Sequence, residues 1–350
     1  MISLKPRLSV IIPVYNSSKY LYECLRSVTE QNIKDIEIIC VNDGSTDDSL
    51  YLLKKYAEKD ERIVVVNKCN AGLPAARNTG LKLARGRFIL HLDSDDFLEK
   101  GKLLKILELA ESSEADILVF GGSTFPVSID WANNVLNVKD RVVEGQREII
   151  DALFNETGSR PFTWNKLYKA ELINKFNVRY NEKIELGEDQ AYQFSIFPFA
   201  NKVIYTSISI YKYRQHHESM MSFYQNNPRE RLLGHVSLIS SVVNFWKDQG
   251  LIKNYREYLF NWALDHVFIS DFEWLSCREI SELTDRLIML IDITDGFDGL
   301  SIYNKALMKK IRCANYLFKM FCKLNKKMEN VVIVDSILPC LTFKLIKCIG

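Results

Sequence analysis

The segment FILHLDSDDF, residues 88–97, places three aspartates within four positions directly after an apolar run. Carboxylates held this close raise the cost of ionising one another unless a cation or strong donors offset their charge. A D-x-D pattern on a loop after a strand brings Asp93 and Asp95 within reach of one divalent cation, and oxygen ligation suits Mg²⁺ or Mn²⁺. Capping of the next helix would account for Asp96 alone. The segment therefore predicts a cation site at Asp93 and Asp95.

Three other segments carry candidate residues whose roles stay open from the residues alone. Asp43 in VNDGSTDDS ends a strand-like run, so it is placed to accept a hydrogen bond from a ligand such as a nucleobase N–H. Tyr15 in PVYNSS either packs or offers a planar ring on which a base stacks. Arg77 in NAGLPAARNTG lies on a predicted helix among small residues, where it serves either a surface salt bridge or a ligand.

The elements that must position these residues follow from hydrophobic periodicity. Strand-like runs lie at 8–14, 36–41, 62–67, 87–92 and 115–120, and helical patterns lie between them at 18–31, 46–60, 73–85 and 101–112. This alternation predicts an α/β fold with a parallel, doubly wound sheet flanked by helices. Ligands of such sheets bind beyond the carboxyl ends of the strands, so four strand ends are expected to converge on one site.

The sequence pattern changes after residue 120. Residues 121–225 are mixed: a loop or hairpin excursion comes first, TWNKLYKAELI and LGEDQAYQFSIFPFA each lead into a helix, and KVIYTSISIYKYR returns as a strand. Helical periodicity dominates from about 228 to 328. We therefore expect one domain over 1–225, with halves 1–120 and 121–225, and a largely α-helical C-terminal region over 226–350.

Composition and charge limit the partners and the cellular compartment that we expect for this protein. The 350 residues have a formal charge of +2, but residues 301–350 alone carry +8, which favours an anionic surface as partner. We expect no nucleic-acid partner. The eight cysteines form no C-x-x-C pair, which indicates neither a disulfide framework nor a zinc site and favours a reducing cytoplasm. No signal peptide and no apolar stretch of about 20 residues is evident.

Five segments, taken in order, resemble the family 2 glycosyltransferases of GT-A fold. They are LSVIIPVYNSSKYLYECLRSV, IEIICVNDGSTDDS, NAGLPAARNTGLKLARGRFILHLDSDD, WNKLYKAELI and LGEDQAY, and the resemblance covers about residues 7–222. The family's enzymes are inverting and use nucleotide-diphospho-sugars with Mn²⁺ or Mg²⁺. The resemblance therefore implies a donor that supplies diphosphate and a cation that offsets the aspartate cluster.

The resemblance also assigns roles to residues on the donor side. The nucleotide would be bound by Pro13, Tyr15, Asn16, Asp43 and Arg77, with Asp93 at the ribose or metal side and Asp95 on the cation. Arg77 would lie against the nucleoside. In the loop YKYRQHHESM, Arg214 would contact the diphosphate, and His216 or His217 would supply a further metal or phosphate contact; solvated histidines are the alternative.

On the acceptor side, ELGEDQ resembles the family's acidic pair. Asp189 would be the general base that takes the proton of the attacking hydroxyl, and Glu188 would be its neighbour or an acceptor contact. Without the resemblance, two acids after Gly187 would simply begin a helix. Trp164 in TWNKLY would be either a platform for an acceptor sugar or a core residue.

These expectations define a function and its alternatives. The predicted activity is transfer of a sugar, most commonly from a UDP-sugar, to a hydroxyl of a glycan or lipid-linked acceptor in bacterial surface polysaccharide synthesis. A catalytically degenerate scaffold subunit is the alternative. A nucleotidyltransferase or a dehydrogenase would need a Gly-rich loop after the first strand, where this chain has PVYNSS.

The C-terminal end has a basic amphipathic pattern. Apolar residues recur over 303–324 against Lys305, Lys309, Arg312, Lys319 and Lys323. Such a helix either lies on an anionic membrane or packs with a solvated lysine face. The first alternative predicts a cytoplasmic protein held peripherally on the inner face of the cell membrane.

Overall fold

The computed structural model of the chain describes residues 5–216, 224, 226–268 and 285. The chain divides into two compact units, Met1–Ser219 and Met220–Gly350. The candidate residues that are described all lie in the first unit. His217 and the basic segment 303–324 lie outside the described residues.

The described part of the first unit contains nine strands and eight α-helices. Strands β1 to β9 are Leu8–Val14, Ile36–Asp43, Ile63–Lys68, Phe88–His91, Phe97–Leu98, Ile117–Phe125, Arg141–Glu144, Lys166–Lys169 and Lys202–Arg214. Helices α1 to α8 are Ser18–Thr29, Ser49–Ala57, Leu73–Leu83, Leu103–Ser112, Asp130–Leu136, Gln146–Asn155, Ala170–Lys175 and Glu188–Ile196. The five strands and four helices predicted for the first 120 residues are confirmed, with the two-residue β5 as an addition.

The strands form one sheet in the order β3-β2-β1-β4-β8-β6-β9-β5, with β7 paired to β9. From β3 to β4 all neighbours are parallel. The simple parallel series ends there, because antiparallel β8 lies between β4 and β6. The carboxyl ends of β1, β2, β3 and β4 therefore share one edge, where the candidate residues are placed.

Helices cover both faces of this sheet, as a doubly wound fold requires. Val10 and Ile12 of β1 belong to a core that also contains the buried faces of α1, α2 and α4. Ile11 points to the other face, where α3 packs closely at Gly80. A Cβ atom at Gly80 would lie 2.3 Å from Cγ2 of Ile11, so only glycine permits this approach. The approach fixes α3, and with it Arg77, against the sheet.

The region 121–225 has more regular structure than its sequence indicated. Instead of a loop or hairpin, β6 continues to Phe125, α5 follows, and β7 joins the sheet edge at β9. KLYK, Lys166–Lys169, forms the short β8 before α7. This strand was not predicted, because four residues are too few for a clear alternation.

The described part of the second unit is helical. It contains α9, Pro228–Asp248, and α10, Ile252–Phe268. Their core is apolar, with Trp246, Leu259 and Phe260 all buried. Within the described residues, no helix combines the length and the apolar character that crossing a membrane requires.

Candidate active site

The three aspartates after β4 have different surroundings. Asp96 is 1% exposed and accepts hydrogen bonds from the Tyr211 hydroxyl at 2.7 Å and the Arg214 N–H at 2.6 Å. Burial and the charges of Asp95 and Asp93 raise the pKa of Asp96 well above its usual range, although the two donors oppose this. Asp96 therefore ties the aspartate loop to β9, and the alternative that it caps the next helix is wrong, since α4 begins only at Leu103.

Asp95 is the more accessible carboxylate, with its side chain 32% exposed. His216 Nε2 lies 2.8 Å from Asp95 Oδ2, and Arg214 Nε donates to the Asp95 carbonyl at 2.7 Å. Arg214 also pairs with Glu23 and lies over the rings of Tyr20, Phe97 and Phe125. The structure thus brings Asp95 together with Arg214 and His216, which lie more than a hundred residues later in the chain.

Arg77 is buried at the centre of the second cluster. Its Nη2 donates to Asp93 Oδ1 at 2.9 Å, and its Nη1 donates to Asp189 Oδ1 at 2.6 Å and to Glu188 Oε1 at 3.1 Å. Burial alone would lower the pKa of Arg77, but the carboxylates, Asp189 and Asp93 first among them, raise it well above its usual range. The guanidinium also lies over the Tyr180 ring, 5.3 Å from its centre.

This position corrects one expectation about Arg77. It is not a surface salt bridge, because the residue is 1% exposed. Its predicted place against the nucleoside stays a prediction, and the guanidinium contacts three carboxylates. Arg77 joins Asp93 to the acidic pair at the start of α8.

Two carboxyl groups around Arg77 have raised pKa values. Burial raises the pKa of Glu188 to about 7, with a further contribution from Asp189, while Arg77 opposes the shift. Burial likewise raises the pKa of Asp93 to about 6 against the opposing charge of Arg77, and Asp189 and Asp95 add to the shift. One guanidinium therefore does not fully offset the cluster, and positive charge is still favoured here.

Asp189 is held by donors from two directions. Besides Arg77, the Thr163 hydroxyl donates to Oδ1 at 3.0 Å and the Thr163 N–H donates to Oδ2 at 3.2 Å. Its side chain is 14% exposed. An oriented carboxylate with partial access to solvent at the mouth of a polar cluster is suited to accept a proton.

Asp43 closes the other end of the site. It is 2% exposed and lies at the end of β2, paired in register with Lys68 at the end of β3. Its carboxylate accepts hydrogen bonds from the Gly72 N–H at 2.8 Å, from the Ala71 N–H at 3.1 Å and 3.2 Å, and from the Lys68 ammonium. Gly72 has a φ of 89°, a conformation that favours glycine and turns these N–H groups towards Asp43.

The loop after β1 lies beside this group. Pro13 is buried within β1, whereas Tyr15 is 52% exposed. Asn16 joins the loops after β1 and β2, since its Oδ1 accepts from the Thr46 N–H at 2.8 Å and its N–H donates to the Ser45 hydroxyl at 3.0 Å. Tyr15 is therefore the residue of this loop that offers an accessible aromatic ring.

Trp164 does not form a sugar platform in this structure. It is 2% exposed and stacks on Tyr211 and Phe162, with ring centres 3.9 Å and 4.4 Å away. A ring this enclosed presents no face to an acceptor. Trp164 is a core residue that supports β9 beneath Asp96.

A buried polar cluster lies behind Arg77. His91 is 0% exposed and has tilted or edge contacts with the rings of Tyr168, Tyr180 and Tyr192. Burial and the charge of Arg77 lower the pKa of His91 well below its usual range. Among the described residues, neither ring nitrogen of His91 and neither hydroxyl of Tyr180 and Tyr192 meets a hydrogen-bond partner. Such groups are normally satisfied by ordered water, which we expect at this position.

The residues fit a divalent cation only in part. Within the part of the chain that the structure describes, no group of three acidic, histidine or cysteine side chains is arranged to hold a metal ion. Asp95 and His216 form a pair, while Asp93 Oδ1 faces Arg77. One or two protein ligands are nevertheless what Mg²⁺ needs when substrate phosphates supply the others. The donor set therefore suits a cation that is bound together with a diphosphate.

Three residues of the site were not among the sequence-based candidates. Thr163 and Tyr211 position Asp189 and Asp96 across long separations in sequence, which no local pattern reveals. Lys68 was overlooked, although it ends the third strand and the ends of parallel strands meet at one edge.

The chain is similar in sequence to proteins of a known family. The model of glycosyl transferase family 2 matches residues 9–176. EpsJ of Bacillus subtilis, named as a glycosyltransferase, is 34% identical over 61% of this chain and 63% of its own length. EpsH of the same organism, which also bears a glycosyltransferase name, is 33% identical over 75% of both chains. The chain thus spans somewhat less than two thirds of EpsJ and three quarters of EpsH.

The fold has a solved counterpart. The crystal structure of S. aureus TarS 1–349 in complex with UDP-GlcNAc has a TM-score of 0.69, with 21% sequence identity over 89% of each chain. TarS is named as a poly(ribitol-phosphate) beta-N-acetylglucosaminyltransferase. This likeness establishes the fold, and the matches in sequence establish the family. The chain belongs to the family 2 glycosyltransferases and has their GT-A fold.

Proposed function

We propose that the protein is a metal-dependent, inverting glycosyltransferase that moves a sugar from a nucleotide-diphospho-sugar to a hydroxyl of a glycan or lipid-linked acceptor. One observation carries the proposal: a single buried guanidinium, Arg77, links Asp93 at the end of β4 to Asp189 at the start of α8. A donor-side and an acceptor-side carboxylate thus lie on either side of one centre in a chain of family 2.

The donor side would bind the nucleotide at the carboxyl ends of β1, β2 and β4. Tyr15 would stack on the base, and Asp43 would accept a base N–H. Pro13 and Asn16 would shape this pocket, Pro13 from within β1 and Asn16 by holding the neighbouring loops together. Arg214, which contacts the Asp95 carbonyl, would face the diphosphate.

Asp95 and His216 would hold the cation, with Asp93 beside them. A bound Mn²⁺ or Mg²⁺ supplies positive charge that stabilises the diphosphate leaving group. The protein's own contribution is to keep Asp95 accessible and aligned, through the Arg214 contact to its carbonyl and the anchoring of Asp96.

On the acceptor side, Asp189 would accept the proton of the attacking hydroxyl. Thr163 and Arg77 fix its orientation, and the raised pKa of Glu188 leaves that neighbour partly protonated near neutral pH, so it would donate a hydrogen bond to the acceptor. Inversion follows if the hydroxyl attacks from the face opposite the diphosphate.

The identity of the substrates follows from relatives rather than from geometry. UDP-GlcNAc in the TarS complex favours a UDP-sugar donor, and the poly(ribitol-phosphate) acceptor in its name favours a bacterial cell-surface polymer. We propose that this protein acts at the inner face of the cell membrane, which the basic amphipathic pattern of residues 303–324 supports.

The test is donor hydrolysis and transfer. We expect the protein with Mn²⁺ and a panel of nucleotide-sugars to release nucleoside diphosphate slowly from one donor without acceptor. Asp95→Ala should abolish release, because the diphosphate loses its cation. Asp189→Asn should retain donor binding but lower transfer to an acceptor by a factor of about 10² or more, since it removes the base.

Glu185→Gln is the matched control, because Glu185 is exposed and lies just before the acidic pair. Its activity should equal that of the wild type. Failure to release diphosphate from any donor, with no donor bound, would refute the proposal in favour of a scaffold subunit.

A further inference from the structure

The carboxylate of Asp43 has a partner that its proposed role does not require. Lys68 donates to Asp43 Oδ1 and, at 2.9 Å, to the carbonyl of Cys69. Its side chain is 24% exposed, whereas that of Asp43 is 4% exposed. Lys68 therefore covers a buried carboxylate on its solvent side, where a base would approach.

Counting donors shows what remains open at this carboxylate. An ionised carboxylate offers about four acceptor positions. Among the described residues, three donors meet Asp43: the N–H groups of Ala71 and Gly72 and the ammonium of Lys68. Asp43 therefore has room for one further N–H donor.

The same count applies to Lys68. An ammonium has three N–H donors, and the described acceptors, Asp43 and the Cys69 carbonyl, take two of them. One donor remains for an oxygen of a ligand. The pair thus presents one acceptor position and one donor position side by side.

We propose that Lys68 is a base-specificity residue, which together with Asp43 selects a uracil base at the donor site. This inference rests on the proposed function and deepens it. Uracil has one N–H, at N3, flanked by the carbonyl oxygens O2 and O4. The N3–H donates to Asp43, and one of the carbonyl oxygens accepts from Lys68.

Other bases match this pair less well. In the position that uracil takes, cytosine presents the lone pair of its N3 to the carboxylate, which is a repulsive contact. Cytosine and adenine can match the pair only through an amino group and the neighbouring ring nitrogen, which requires the base to shift from the position of uracil. Guanine offers a matching N–H and carbonyl, but its second amino donor finds no acceptor position left on Asp43. The predicted order of affinity is UDP first, then GDP, then CDP and ADP.

The experiment compares two nucleotides that differ only in the base. Binding of UDP and CDP, each with Mn²⁺, is measured by titration calorimetry for the full chain and for Lys68→Met. We expect the variant to bind UDP about tenfold more weakly and CDP almost unchanged, because it loses one charge-assisted hydrogen bond to the base. The UDP-to-CDP affinity ratio therefore falls about tenfold.

The ratio of UDP affinity to CDP affinity distinguishes recognition of the base by Lys68 from attraction of the phosphates by its charge. If Lys68 attracts the phosphates instead, UDP and CDP weaken equally, the ratio is unchanged, and the proposal is overturned. An unchanged affinity for UDP overturns it as well. Lys68→Arg, which keeps the charge and the donors, should retain most of the preference for UDP.

Two further variants complete the design. Lys54→Met removes the same charge from an exposed position near the end of α2 and should leave both affinities unchanged. Lys68→Gln retains an uncharged N–H donor and replaces the Met variant if circular dichroism shows that the latter is unfolded; it should keep part of the preference.

The nucleotide affinities of the wild-type protein also test the role of Lys68 and Asp43. If it binds CDP or ADP as tightly as UDP, the base-specificity role of Lys68 is wrong while nucleotide binding, and thus the proposed function, stands. If it binds no nucleotide at all, the proposed function itself fails, and the inference with it.

Discussion

At the scale of single residues, the carboxyl groups at the centre of the site are destabilised in their charged form by burial. Burial raises the pKa values of Glu188 and Asp93 to about 7 and about 6. Among the described residues, the cation in direct contact with both carboxyls is Arg77. A cluster of this kind weakens the fold unless a ligand or cation shares its charge. The raised pKa values, together with the contacts of Arg77, support a site that binds a charged ligand.

This gives a pH-dependent prediction for Glu188→Gln. The folded pKa of about 7 lies above the ordinary value of 4.5, so the contribution of Glu188 to stability is full below pH 4.5 and is lost as the pH rises to about 7. Glutamine resembles the protonated form at every pH. We expect the variant to unfold like the wild type near pH 4.5 and to be more stable by roughly 3 kcal/mol at pH 8.

Urea unfolding followed by fluorescence across this pH range measures the difference. Glu185→Gln, at an exposed position in the same loop, should match the wild type throughout. A Glu188→Gln variant that is less stable at pH 8 would mean that the ionised pair with Arg77 outweighs the burial of the carboxylate.

At the scale of elements, α3 sets the distance between the two sides of the site. It packs on β1 through Gly80, begins at the N–H groups that hold Asp43, and carries Arg77 in between. The position of this one helix therefore affects both the base pocket and the acidic cluster.

Gly80→Ala tests this packing. Alanine favours a helix over glycine by about 1 kcal/mol, but its Cβ would lie 2.3 Å from Cγ2 of the buried Ile11, and overpacking costs about 1–3 kcal/mol. We expect a net loss of thermal stability and, because α3 must move, weaker donor binding.

A second substitution, at Ile11, should relieve the clash that Gly80→Ala creates. Combined with Ile11→Ala, Gly80→Ala should cost less than the sum of the two single changes, since the second change makes room for the new methyl group. Lys82→Ala, exposed in the last turn of α3, controls for the change in helix propensity. Additive losses would show that Gly80 does not limit the approach of α3.

What the sequence could predict also follows from the elements. Strands β1 to β4 were found because their buried runs are long and bounded by turn residues, and those ends placed Asp43, Asp93 and Asp95 at one edge. The short β8 and the enclosed Trp164 were not foreseen, because both depend on partners far away in the chain. The position of Arg77 depends on α8 in the same way.

At the scale of the whole molecule, the charge is unevenly distributed. The overall +2 conceals a net +8 over residues 301–350, a segment that lies outside the described residues. If the acceptor is lipid-linked, this segment would bring the enzyme to its substrate by attraction to anionic lipids.

Neutralising Lys305, Lys309, Lys319 and Lys323 to Gln tests this attraction in the full chain. We expect wild-type protein to sediment with vesicles that contain anionic lipid, and the variant to bind at least tenfold more weakly, because each lysine contributes about 1 kcal/mol near such a surface. Added salt should weaken wild-type binding. Equal sedimentation of both proteins, or binding to neutral vesicles alone, would contradict a charge-driven attachment.

The course of α3 joins the two ends of the site through one rigid element. The same helix meets Asp43 at its start and Asp189 through Arg77 about one and a half turns later. Because Thr163 and Arg77 orient Asp189 in this structure, a base that binds against Asp43 meets a helix that is already in place. A change that displaces these eleven residues should therefore impair nucleotide binding and proton transfer together.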